Sequence, residues 1–184
     1  MTVTVLDLRE CALMWESASA AETERLGAAL GRLLRPGDVI ALLGDLGSGK
    51  TVLVRGLASG LGCAADEVHS PSFTLINEYA AGRGGWEAAG GDRLPRLAHV
   101  DLYRIRSEDE LPGIGWDAYV NSRYVAAVEW ADRALRWLPR DHLRVSLETL
   151  EGDRRRFRVQ ATGPRSHQVV LDWVEAAGIR AEAT

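Results

Sequence analysis

Gly44-Asp45-Leu46-Gly47-Ser48-Gly49-Lys50-Thr51 fits the pattern G-x-x-x-x-G-K-[ST], in which glycines let backbone N–H groups turn inward around phosphate oxygens. Lys50 is the only lysine of the chain; all the others of its 22 basic residues are arginine. A sequence that uses arginine wherever any cation serves keeps lysine where a compact ammonium on a flexible stem differs from a planar fork. The pattern predicts that Asp45, Gly47, Ser48, Gly49, Lys50 and Thr51 hold nucleotide phosphates. Lys50 would reach the β- and γ-phosphates, and the Thr51 hydroxyl would ligate Mg²⁺.

The flanks agree with such a P-loop. Val39-Ile40-Ala41-Leu42-Leu43 is a short apolar run with β-branched residues and reads as a buried strand. After the loop, Val54, Leu57, Ala58 and Leu61 recur at helical spacing over 51–61. The loop therefore joins a strand to a helix N-terminus, where free N–H groups and the helix dipole favour an anion.

A length of 184 residues suits one α/β domain with an ordinary core. The net charge of −4 argues against a general nucleic-acid-binding surface. Cys11 and Cys63 have no metal-ligand spacing and read as reduced thiols of a cytoplasmic protein. Charges at Asp7, Arg9 and Glu10 exclude a signal peptide, and no apolar run approaches membrane-spanning length.

Residues 2–8 alternate like a short strand. Ser19-Ala20-Ala21-Glu22 has the form of a capping box before a helix with Leu26, Ala29, Leu30, Leu33 and Leu34 on one face. Past the P-loop helix, Phe73–Tyr79 and Leu97–Val100 read as strands. No helical pattern lies between them, so they should pair as an antiparallel hairpin. The Gly-rich stretch within about 80–96 reads as a surface insertion. Residues 102–121 read as irregular, and 124–128 as a strand. A second hairpin and a final helix fill 143–178. The arginines of Arg154-Arg155-Arg156-Phe157-Arg158 are expected to guard an exposed sheet edge. Trp116, Trp130 and Trp137 are expected in or near the core, Trp130 with a second possibility as a wall of the nucleotide site. His99 is expected to pack in its strand. The predicted architecture is an α/β three-layer P-loop NTPase fold. Its mixed sheet includes an antiparallel hairpin next to the P-loop strand, and one domain spans 1–184.

In a P-loop sheet, ligands sit beyond the carboxyl ends of the parallel strands. Asp101 and Glu129 stand at two such ends. Either could serve Mg²⁺ or orient an attacking water, so both join Lys50 as catalytic candidates and Thr51 as metal candidates. Ser70, Ser72 and Thr74 lie between the P-loop helix and the hairpin. In small switch GTPases a loop at that place supplies a hydroxyl to the metal and the γ-phosphate. Guanine-reading GTPases use an Asn-Lys-x-Asp motif, which needs a second lysine, so adenine is the expected base.

Four ordered motifs carry a resemblance: Gly44 to Thr51, then Ser70-Pro71-Ser72-Phe73-Thr74-Leu75, then Asp101-Leu102-Tyr103-Arg104, then Glu129-Trp130. Together they resemble the TsaE family (also called YjeE), over roughly residues 22–158. The resemblance implies a cytoplasmic protein that binds ATP and Mg²⁺, hydrolyses ATP slowly alone, and docks on a complex of TsaD and TsaB. TsaD would place threonylcarbamoyl on an adenosine beside the tRNA anticodon, so tRNA is engaged indirectly through that complex. It also implies phosphate and Mg²⁺ roles for Lys50 and Thr51, a switch-loop role for Ser72 or Thr74, and metal or water roles for Asp101 and Glu129. Ser48 stands where alanine is usual and Ser72 where threonine is usual, and the stretch 82–93 is longer than the family pattern. The competing reading is a free-standing P-loop kinase of a metabolite.

Overall fold

Alternation along the P-loop strand sets the layers. In β3 (Val39–Leu43), Ile40 and Leu42 face one buried cluster, while Val39 and Ala41 face another. The computed structural model describes residues 2–7, 12–82, 96–120, 123–178 and 180–182. Most of the expected Gly-rich insertion, and Cys11, lie outside them.

Around β3 the described strands form one nine-stranded sheet. They are β1 (Thr2–Asp7), β2 (Ala12–Ser17), β4 (Ile76–Ala80), β5 (Arg96–Asp101), β6 (Tyr124–Glu129), β7 (Leu143–Thr149), β8 (Arg155–Ala161) and β9 (Arg180–Glu182), in the order β4-β5-β6-β3-β7-β8-β2-β1-β9. Strands β5, β6, β3 and β7 run parallel. Helices α1 (Ala20–Gly31), α2 (Lys50–Gly60) and α4 (Pro164–Ala176) contribute buried side chains to one face. The short α3 (Trp116–Val120) and 3₁₀ turns at Glu108–Ile114 and Ala131–Trp137 cover the other. The mixed-sheet α/β fold is the expected one.

The sheet differs from expectation in several places. A hairpin does adjoin the P-loop strand, but it is β7–β8. The hairpin β4–β5 pairs antiparallel, with β6 between it and β3. Phe73, Thr74 and Leu75 are not strand: Leu75 N–H closes on Pro71 O at 2.6 Å and Leu75 takes φ 66°, so pairing starts at Ile76. Strand β2 was not expected; Leu13, Trp15 and Ser17 point inward, and Trp15 stacks on Phe157 and meets Trp173 edge-on. Because β2 pairs with β8, the arginine run does not guard an edge. Arg154 and Arg156 instead meet Glu16 of β2, and Arg156 also meets Glu148 of β7. Of the tryptophans, Trp116 is buried and Trp130 partly so, while Trp137 is 39% exposed.

Helices α1 and α2 touch backbone to backbone. A Cβ on Gly27 would lie 2.4 Å from Leu53 O, and one on Gly56 would lie 2.1 Å from Glu24 O. Gly31 and Gly60 repeat the contact one turn on. The glycines hold α2, whose first residues are Lys50 and Thr51, close against α1 and fix its placement over the sheet.

Candidate functional site

The loop between β3 and α2 is shaped by Gly44, Gly47 and Gly49, whose φ values of 132°, 78° and 101° are strained for other residues. Gly49 is the N-cap of α2 and supplies no side-chain hydrogen bond, so the first-turn N–H groups are left to an outside acceptor. Ser48 is buried, and its hydroxyl has no partner among the described residues. The buried Lys50 ammonium donates to Gly44 O at 2.6 Å and Asp45 O at 2.8 Å, and lies 4.2 Å from the centre of the Trp130 ring. Burial pulls its pKa below the usual lysine range, against the opposing charges of Glu129, Asp101, Asp45 and Asp132.

Asp101 and Glu129 end β5 and β6 as directly paired residues, 1% and 3% exposed. Carboxylates so deeply buried need donors, and each has a different set. Glu129 Oε1 accepts from Thr51 Oγ1 at 2.7 Å and sits 2.8 Å from His99 Nε2. Asp101 Oδ1 accepts from Tyr103 N–H at 2.9 Å. Its Oδ2 is 2.8 Å from Ser70 Oγ and 2.6 Å from Ser72 Oγ, and the two hydroxyls are 2.7 Å apart. Two hydroxyl hydrogens cannot fill three contacts, so the arrangement can exchange without moving heavy atoms.

The structure thus brings together Lys50, Thr51, Asp101, Glu129, Ser70 and Ser72. Thr74 is not gathered with the acids: its hydroxyl goes to Asn77 Oδ1 at 2.9 Å. Beside the site, Phe73 is 84% exposed under the Arg104 guanidinium, and Leu46 of the P-loop is also exposed. Trp130 has φ 57°, an unfavourable region for a bulky residue. It packs on Tyr103, with ring centres 5.0 Å apart.

His99 was missed as a site residue. The signal was its place two before Asp101: a strand repeats every two residues, so both side chains leave the same face of β5. Leu97, the next residue in that series, is in the same cluster as the α2 side chains.

The donor set suits a phosphate-borne Mg²⁺. Thr51, Glu129 and Asp101 offer hard oxygens. Among the described residues no group of three or more His, Cys, Asp or Glu could hold a metal on its own. Mg²⁺ is commonly bound through one or two carboxylates plus phosphate oxygens and water, so the residues fit. A parallel run of central strands, a glycine-shaped loop on a helix N-terminus and two acids at neighbouring strand ends define a P-loop protein of the α/β class. Among the described residues no helix is long and apolar enough to cross a membrane.

Comparison with known proteins narrows the class. The family described as threonylcarbamoyl adenosine biosynthesis protein TsaE matches residues 17–157. The tRNA threonylcarbamoyladenosine biosynthesis protein TsaE of Bacillus subtilis is 35% identical over 153 residues, 83% of this chain and 88% of its own. That of Treponema pallidum is 38% identical over 143 residues, 78% and 96% of the two chains. The crystal structure of Bacillus subtilis YdiB aligns with a TM-score of 0.66 at 29% identity, covering 89% of this chain and 95% of its own. The chain belongs to the TsaE family.

Proposed function

We propose that this chain is a Mg²⁺-dependent ATPase of tRNA threonylcarbamoyladenosine biosynthesis, slow alone and stimulated by a TsaD–TsaB complex. The observation that carries the reading is the Thr51–Glu129 hydrogen bond of 2.7 Å, which ties the first turn of α2 to the end of β6. It puts the hydroxyl expected at the metal and a buried carboxylate at one point beside the phosphate cradle.

In this reading the P-loop N–H groups and the Lys50 ammonium bind the phosphates of ATP. The ammonium exchanges the carbonyls of Gly44 and Asp45 for phosphate oxygens. Thr51 and Glu129 would hold Mg²⁺, which when bound neutralises charge on the phosphate oxygens. Asp101 accepts hydrogen bonds at the neighbouring strand end and orients the attacking water there. Ser70 and Ser72 couple Asp101 to the loop before β4. A surface loop gripped by two hydroxyls is readily reordered, and a partner protein could fix it and speed hydrolysis. The exposed Leu46 and Phe73 give such a partner apolar surface close to the nucleotide.

The test is the steady-state ATPase rate against the concentration of TsaD–TsaB complex. The rate should rise to a plateau, and Ser72→Ala should blunt the rise. An unchanged rate at saturating complex, with phosphate instead transferred to a small metabolite, favours the kinase reading.

A further inference from the structure

His99 is wholly buried, yet only half of its imidazole is accounted for. Nε2 lies 2.8 Å from Glu129 Oε1, while Nδ1 has no hydrogen-bond partner among the described residues. As a packing residue this is a poor choice, because an unpaired buried polar atom costs stability that an apolar side chain would not. The contact to Glu129 gives the imidazole a purpose. A carboxylate only accepts, so Nε2 carries a hydrogen and donates it to Glu129.

Oε1 receives both this N–H and the Thr51 hydroxyl. The two donors come from different elements, α2 and β5, so together they fix both the position and the twist of the carboxyl group. The other oxygen is left for ligand chemistry. Thr51 alone could not do this, since its hydroxyl is itself expected to serve the metal. His99 is anchored by the strand that also carries Asp101, so one element sets both acids.

We propose that His99 is a positioning residue for ATP hydrolysis, holding the Glu129 carboxylate through its Nε2–H. The inference rests on Glu129 belonging to the hydrolytic site. Hydrolysis should depend on that one N–H, while nucleotide binding by the P-loop should not.

Glutamine and asparagine separate this role from packing. A glutamine amide reaches about as far as Nε2, whereas asparagine reaches only as far as Nδ1. In the partner-stimulated ATPase assay, His99→Asn should lower kcat by about tenfold or more, in the range seen when groups that orient a metal ligand are lost. KM for ATP should hold, and His99→Gln should recover most of kcat. Combining His99→Asn with Glu129→Gln should add little to the Glu129→Gln loss, because one acts through the other. In the free protein, long-range ¹⁵N–¹H spectra should show a hydrogen on His99 Nε2. Equal losses in the Asn and Gln variants, a wild-type kcat in His99→Asn, additive losses, or an Nδ1–H tautomer would each overturn the proposal. Wild-type hydrolysis by Glu129→Gln alone would instead defeat the reading of the site, and the tautomer would still report whether His99 holds Glu129.

Discussion

Gly56→Ala probes the packing that places the P-loop helix. The added Cβ would lie 2.1 Å from Glu24 O and 2.9 Å from Gly27 Cα. Ordinary contact begins near 3.4 Å, so α1 and α2 must part locally by about 1.3 Å. The obstacle is backbone and cannot rotate away. Overpacking of this kind costs about 3 kcal/mol at the upper end of the usual range. Alanine returns about 1 kcal/mol of helix propensity. The net loss is then about 2 kcal/mol, or about 4–8 °C in Tm for a chain of this size. Gly113→Ala is the control, since a Cβ there meets nothing within 4 Å. It should be neutral or stabilising by up to about 1 kcal/mol, through the unfolded chain. Thermal unfolding followed by circular dichroism, with urea titration for free energies, measures both. If Gly56→Ala matches or exceeds wild type, the close-packing argument is refuted.

Lys50→Ala should abolish ATP binding by calorimetry while circular dichroism stays native, because Asp101 and Glu129 keep their hydroxyl, imidazole and N–H donors; Lys50→Arg should not restore binding. Ser48→Ala removes a buried hydroxyl that has no partner among the described residues and should raise the unfolding free energy from urea titration, by about 1 kcal/mol at most; a fall would contradict this. Asp141 accepts from Arg165 N–H at 2.7 Å and Ser166 N–H at 2.9 Å, capping the α4 turn whose N-cap, Gly163, has no side chain. Burial pushes its pKa up, but the hydrogen bonds from Ser166 and Arg165 outweigh this, and the net shift is downward. A lowered folded pKa means that the stabilisation is full above the unfolded carboxyl range, about 3.9, and disappears as pH falls through the folded value. Asp141→Ala should therefore lose about 1 kcal/mol at neutral pH, and its deficit in Tm should shrink in acid. A deficit independent of pH would refute the cap.

The P-loop, the strand ends at Asp101 and Glu129 and most element types were legible because each rests on local pattern: a fixed motif, an apolar run or alternation. Strand β2 was not, because Met14 breaks the polar-outward alternation of Ala12 to Ser17, although Leu13, Trp15 and Ser17 do point inward. The role of Arg154 and Arg156 depended on that strand, since Glu16 is their partner from far along the chain. Apolar residues at Phe73 and Leu75 resemble strand, but Leu75 adopts a positive φ and Phe73 points to solvent, as a loop meant for contact can do. The pairing of His99 with Glu129 joins β5 to β6. No local pattern states it, although the two-residue step to Asp101 placed His99 on the right face.

In the proposed function, the P-loop and its two strand-end acids hydrolyse ATP. Phosphate release from ATP with Mg²⁺ and saturating TsaD–TsaB complex tests it most directly, comparing wild type with Glu129→Gln and Asp101→Asn. Both substitutions keep shape and remove charge. Wild type should release phosphate and stop when the metal is chelated. Each variant should lose about 100-fold or more in rate, the scale of a lost electrostatic contact in a transition state, and should still bind nucleotide better than Lys50→Ala does. Phosphate release by both variants at the wild-type rate would mean that neither acid takes part in hydrolysis.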